Sequence, residues 1–217
     1  MAHQYSGFSV KHRSTVHDTV LEAASALDKA HKALLRLSRK ASGLDLKDYE
    51  RWFGTFSDGN LQRATEVVGL MDYALNSGRI HFTFNEGCGA TTNAAAFQPT
   101  HGWKTAKLKE TLSGGTFRIT LCPRFFGAMT QSSVTGQSRT ETFIHEMSHI
   151  VGNTEDEVHP DWGVTAYNRN LARDLADNYP NLAINNAENY GFYCMWVAQD
   201  RTRPELNLSD AFQNLFG

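Results

Sequence analysis

Apolar positions along the chain recur first at three- and four-residue steps. From Ser14 to Ala41, Val16, Val20, Ala24, Leu27, Leu34 and Leu37 alternate with charged positions and Gly43 follows as a stop, which predicts a long amphipathic helix. Lys32, Arg36, Arg39 and Lys40 near its end read as a solvated face, because cations complement the dipole of a last helical turn. A second helix is expected from about Asn60 to Asn76, carrying Leu61, Ala64, Val68, Met71 and Leu75 and closed by "NSG". The period then falls to two. In "RIHFTF", Ile80, Phe82 and Phe84 alternate with His81 and Thr83, and in "GGTFRITLC" Phe117, Ile119 and Leu121 alternate with Thr116, Arg118 and Thr120, so each reads as a half-buried strand. Pro123 ends the second of these and favours an edge position. Between them, "EGCGATTNAAAFQPTHGW" has no period and reads as a long loop. Another helix carries the stripe Phe143, Ile144, Met147, Ile150 and Val151 and stops at Gly152, and two more helical segments follow near Asn168–Asn178 and Asn185–Gln199. The expected class is therefore α+β, mainly helical with a small antiparallel or mixed sheet and a leading amphipathic helix.

Composition narrows this picture without changing it. At 217 residues and 41% hydrophobic content the chain can bury a real core, and its length suits one principal domain. A formal charge of -2 gives no basic footprint for phosphate backbones or anionic lipid, so no nucleic-acid partner is expected. No run approaches the roughly 20 apolar residues of a membrane span, and the opening "MAHQYSGFSVKHRS" lacks the apolar stretch of a secretory signal. Cys88, Cys122 and Cys194 form no C-x-x-C metal pair, and on count alone a reduced chain is the expectation.

The chemistry lies in "FIHEMSHIVG". His145 and His149 are four residues apart on a helix, which puts both imidazoles on one face and within reach of one metal ion. Glu146 beside them is placed to take a proton from water, and zinc activates that water and polarises a carbonyl, so the parts suit amide hydrolysis. A catalytic zinc needs a third protein ligand and one open position. Asp156, His159, Asp161 and Glu188 all follow His149 within range, and spacing alone does not choose among them. The residue six after His149 is Glu155, which excludes the metzincin pattern.

Residues 49 to 199 resemble the aspzincins, the deuterolysin and peptidyl-Lys metalloendopeptidase family. The resemblance rests on "RWFG", "FRITLCPRFF", "TFIHEMSH" and above all "LARDLADNYPNLAINNAENYGFY", which is similar to that family's helix ending in N-A-D-x-Y. It implies a zincin fold, Zn2+, endopeptidase activity on protein or peptide substrates, and a G-T-x-D-x-x-Y-G stretch whose Asp binds zinc and whose Tyr stabilises the transition state. Counted back from the tail without gaps, Tyr167 falls on the tyrosine but Val164 on the aspartate, and Asp156 matches only if His159 replaces the tyrosine. Glu188, at the acid of N-A-D-x-Y, is therefore the first expectation for the third ligand, with Asp161 and then Asp156 as alternatives. In the family that acid lies near the pocket for a lysine side chain; with Gly191 offering no second acid one turn later, lysine specificity is not expected here.

The expected organisation is an N-terminal helical segment, 1–48, packed on a zincin-like catalytic domain, 49–217. The resemblance also implies a Cys88–Cys122 bridge across the loop, while Cys194, on an apolar helix face with Trp196 and Val197, reads as a buried free thiol. The strand ending at Leu121, read as an edge, would align substrate by main-chain pairing. Tyr167 is the expected oxyanion donor. A zinc endopeptidase with this centre is the leading functional expectation, against a degenerate zincin kept as a binding module or a metalloamidase of cell-wall peptides. Related domains are secreted proteases or delivered toxins and effectors, which implies a monomer acting in an extracytoplasmic compartment such as the periplasm, with an immunity or inhibitor protein as a further partner.

Overall fold

The computed structural model describes residues 3–78, 80–89, 91–96, 117–128 and 138–199. Thr116, the expected first residue of the second strand, lies outside them, as do residues 97–103 of the long loop and the polar run 129–137. A short strand β1 (Gln4–Ser6) precedes α1 (Val10–Arg39), which begins before the predicted Ser14 because the Ser9 hydroxyl accepts the His12 amide and caps the helix there. Then come α2 (Gly43–Phe53), α3 (Asp58–Asn76), β2 (Ile80–Phe84), β3 (Ala94–Ala96) and β4 (Phe117–Leu121). The chain continues through α4 (Pro123–Gly127), α5 (Arg139–Gly152), α6 (Arg169–Asn178), α7 (Pro180–Ala183) and α8 (Ala187–Gln199).

The sheet is mixed, in the order β1-β2-β4-β3. β1, β2 and β4 run parallel, and β3 closes one side antiparallel to β4, with Ala95 opposite Thr120. β4 is therefore an interior strand, not the edge inferred from Pro123. The proline is harmless to the ladder because it lies past Leu121 and opens α4, where its missing N–H has no helical partner to lose. The edge beside the helices is β3, which the sequence pattern hides inside a loop.

One hydrophobic cluster unites the layers. Leu27 and Leu34 of α1, Met71 of α3, Phe143 and Met147 of α5, and Tyr193 of α8 bury together with Phe82 and Ile119 from the sheet. Each fully buried side chain of this size contributes about 1.5–3 kcal/mol relative to exposure. The fully buried Ala30 and Ala33 of α1 let neighbouring helices approach closely. α5 is enclosed almost all round: only Arg139 and His149 along it escape burial. The helix that bears the H-E-x-x-H spacing is thus the central beam of the fold, which holds its side chains rigidly.

Cys88 and Cys122 form a disulfide with a Cα–Cα distance of 5.8 Å, and Cys194 is a buried free thiol. The reduced chain expected from cysteine count is thereby corrected; three cysteines suffice for one bridge because the β2–β4 connection returns to the sheet beside its starting point. The bridge joins positions 34 residues apart, and a closed loop of that size lowers unfolded-state entropy by about 4 kcal/mol in the chain-entropy account. Among the described residues no helix is long and apolar enough to cross a membrane.

Candidate metal centre and active site

Both ends of α5 are fixed by local chemistry. At the start, the Ser138 hydroxyl accepts the Glu141 amide while the Glu141 carboxylate accepts the Ser138 amide, a reciprocal capping box. At the end, Asn153 adopts the left-handed conformation at φ 50° and turns the chain back toward the helix. Gly152 allows that turn to lie against α3, since a Cβ there would meet Val67 Cγ1 at 2.7 Å. Arg63 of α3 donates to the Gly152 carbonyl and ties the same corner.

The turn delivers Asp156 to the two histidines. Nε2 of His145 and Nε2 of His149 are 3.0 Å apart, and Asp156 Oδ1 lies 3.1 Å from the first and 3.2 Å from the second. The far ring nitrogens are committed elsewhere. His149 Nδ1 donates to the Thr154 carbonyl at 2.7 Å, and His145 Nδ1 donates to Glu188 Oε2 at 2.9 Å. With the neutral-ring protons on both Nδ1 atoms, the two Nε2 lone pairs and Asp156 Oδ1 converge on one point with no hydrogen between them. Such a set is repulsive unless a cation sits within it. Burial pulls the His145 imidazole down, but the Asp156 and Glu188 carboxylates beside it outweigh burial and hold the ring well above its ordinary value. Burial would likewise raise the Asp156 carboxyl, yet its bonds to His145 and His149 keep it well below the usual carboxylate range. Both directions describe a site built to hold positive charge.

Glu188, the first expectation for the third ligand, is placed by the structure outside the group of His145, His149 and Asp156. Its carboxylate, 2% exposed, stops at Nδ1 of His145, on the side of the ring opposite Asp156, so it orients that imidazole. The approach to α8 is stapled to the segment around Asp156: the Glu155 amide donates to Asn185 O, the Ala187 amide to Glu155 O, and the Glu157 amide to Asn186 Oδ1. Asn189 continues the network into the core through Trp52 O and Ala172 O. Asp161, the second expectation, falls into a separate group with His159 and Asp174.

Glu146, 7% exposed, projects beside the histidine pair. Burial raises its carboxyl above the ordinary value, against the opposing pull of His145, His149 and the Ala96 amide of β3. Tyr167, half exposed, donates its hydroxyl to Asp156 Oδ2 at 2.8 Å, with its ring 6.1 Å from that of His145. Burial and that bond both raise its phenol. Asp156 and Tyr167, 11 positions apart in sequence, are adjacent in space because residues 157–166 fold back on themselves, with Val158 bridged to Thr165 and the Ala166 amide donating to Glu157 O.

A model of the lysine-specific metallo-endopeptidases, the aspzincins, matches residues 38–195. The chain belongs to the aspzincin family. It is also 27% identical over 178 residues to an extracellular protease of Aeromonas hydrophila, covering 80% of this chain but 41% of that protein. The chain thus spans less than half the length of that curated relative. Its fold is similar to that of a zinc peptidase from Grifola frondosa, with a TM-score of 0.59 at 23% identity, covering 87% of this chain and 97% of the other.

The fold is the α+β, zincin-like one that membership of this family and the likeness to the fungal peptidase both carry. Two imidazole nitrogens and one carboxylate oxygen, converging as lone pairs, are a donor set that zinc accepts. Of the residues that the sequence singles out, the structure brings His145, His149, Glu146, Tyr167 and the alternative Asp156 together; Thr154 and Asn186, which bond to His149 and Glu157, are not among them. Thr154 acts through its backbone carbonyl, which carries no side-chain signal, whereas Asn186 stood in plain view within "INNAENY".

Proposed function

We propose that the protein is a zinc metalloendopeptidase acting on protein or peptide, which holds zinc with His145, His149 and Asp156, uses Glu146 as general base and Tyr167 as oxyanion donor, and works outside the cytoplasm. The observation that carries the ligand set is the position of Asp156 Oδ1, within 3.2 Å of both Nε2 atoms. When bound there, zinc supplies Lewis acidity that polarises the scissile carbonyl and acidifies water. Glu146 accepts the proton of the attacking water, and its burial moves it toward the working pH, where a base is most effective. Tyr167 keeps its proton through the neutral range, since its phenol is raised, and so remains a donor for charge developing on the carbonyl oxygen. Glu188 holds the His145 ring in the tautomer that leaves Nε2 open. β3, the sheet edge whose Ala96 amide already meets Glu146, is the strand we assign to substrate alignment. The name of the Aeromonas relative and the disulfide both support an extracytoplasmic setting.

The test pairs two variants. Glu146→Gln should keep zinc and lose peptide hydrolysis by about 10²–10⁴-fold, and Tyr167→Phe should lose about 10²–10³-fold in kcat with KM little changed. Wild-type rates in Glu146→Gln would remove the base from the mechanism.

A further inference from the structure

The segment between Asp156 and Tyr167 carries a second group of metal donors. His159, Asp161 and Asp174 offer one imidazole nitrogen and two carboxylate oxygens within 4.8 Å of one another. His159 is fully buried, and its Nε2 has no hydrogen-bond partner. Asp174 Oδ2 is nevertheless only 2.6 Å from that nitrogen. Ligands about 2.0–2.2 Å from a shared ion stand about 3 Å or more apart, so an ion entering here would part this misaligned pair and take up both donor atoms. Among the described residues, the His145–His149–Asp156 centre is the other group in which three such donor atoms come together. Each carboxylate is also braced from behind: the Tyr179 hydroxyl donates to Asp161 Oδ1 at 2.8 Å and Asn178 Nδ2 to Asp174 Oδ1 at 3.0 Å. The ring's other polar neighbour is the Asp161 amide, 3.3 Å from Nδ1, a long contact that gives way when the proton moves to Nδ1.

We propose that His159, Asp161 and Asp174 form a second site for a divalent transition-metal ion, separate from the catalytic centre. The imidazole and only two carboxylates favour zinc-like ions over calcium, which takes six to eight oxygen ligands. The ion would tie the tip of the 157–166 segment to the middle of α6. Both ends of that segment bear on the catalytic centre, since Asp156 precedes it and Tyr167 follows it. The site is therefore a clamp that sets the spacing of those two residues, and it goes beyond the zinc site proposed above.

Zinc content after chelator stripping, reloading with zinc chloride and desalting decides the matter. We expect two zinc ions per chain for the wild type, one for Asp156→Ala, one for Asp174→Asn, and none for the double variant. In the wild type, cleavage within 157–166 by an added protease should rise when the second ion is withdrawn. One zinc per wild-type chain, two in Asp174→Asn, or a second equivalent lost on desalting would overturn the proposal. An Asp156→Ala chain that still carries two would instead refute the catalytic ligand set and leave this one standing. If Asp174→Asn does not fold, the wild-type count with Asp156→Ala as its one-site reference still gives the answer.

Discussion

Three lone pairs meet at the centre of the site because each donor has lost the freedom to turn away. His149 is held through Thr154 O, His145 through Glu188, and Asp156 through Tyr167 and the backbone bonds of its neighbours. Glu188 is thereby spent within the protein, and its 2% exposure leaves it out of reach of a substrate cation. Gly191 cannot be compensated by an acid either, since a Cβ there would lie 3.1 Å from Glu141 O. Digestion of a protein mixture should therefore show no enrichment of lysine beside the cleaved bond, and strong enrichment would contradict this reading of Glu188. The histidines were legible because four-residue spacing on a helix has one geometric outcome. Asp156 is legible only as the last of three alternatives: ungapped counting sets Val164 where the aspartate is sought, and the fold-back of 157–166 that pairs Asp156 with Tyr167 leaves no periodic signal.

Among the elements, those with long runs of periodic residues were readable and those held by a few contacts were not. α1, α3 and α5 and strands β2 and β4 lie close to where their apolar spacing put them. β1 and β3 span three residues each, and "AAA" in β3 has no alternation to detect. The pattern hides α2 because Gly43 reads as a stop, whereas it is the first residue of the next helix. The junction of α5 with α3 depends on Gly152, whose missing side chain admits Val67. Gly152→Ala should therefore cost about 1–3 kcal/mol through overpacking, read as a lowered melting temperature. It should also weaken zinc retention, because the turn to Asp156 starts there. An unchanged melt would show that α3 yields without cost.

For the whole molecule, a shared core makes the centre rigid and one covalent bridge limits how far the sheet side can open. Intact mass should rise by two hydrogens on reduction, and the Cys88→Ser/Cys122→Ser pair should lose about 4 kcal/mol of stability. Cys194, whose thiol is pushed up by complete burial, should stay unreactive toward thiol reagents until the chain unfolds. The central claim remains the identity of the third zinc ligand, and zinc affinity by competitive chelation tests it most directly. Asp156→Ala should empty the catalytic site and abolish hydrolysis, while Glu188→Gln should keep the metal with affinity reduced about 10–100-fold. A Glu188→Gln protein that loses its catalytic zinc while Asp156→Ala retains it would contradict the account.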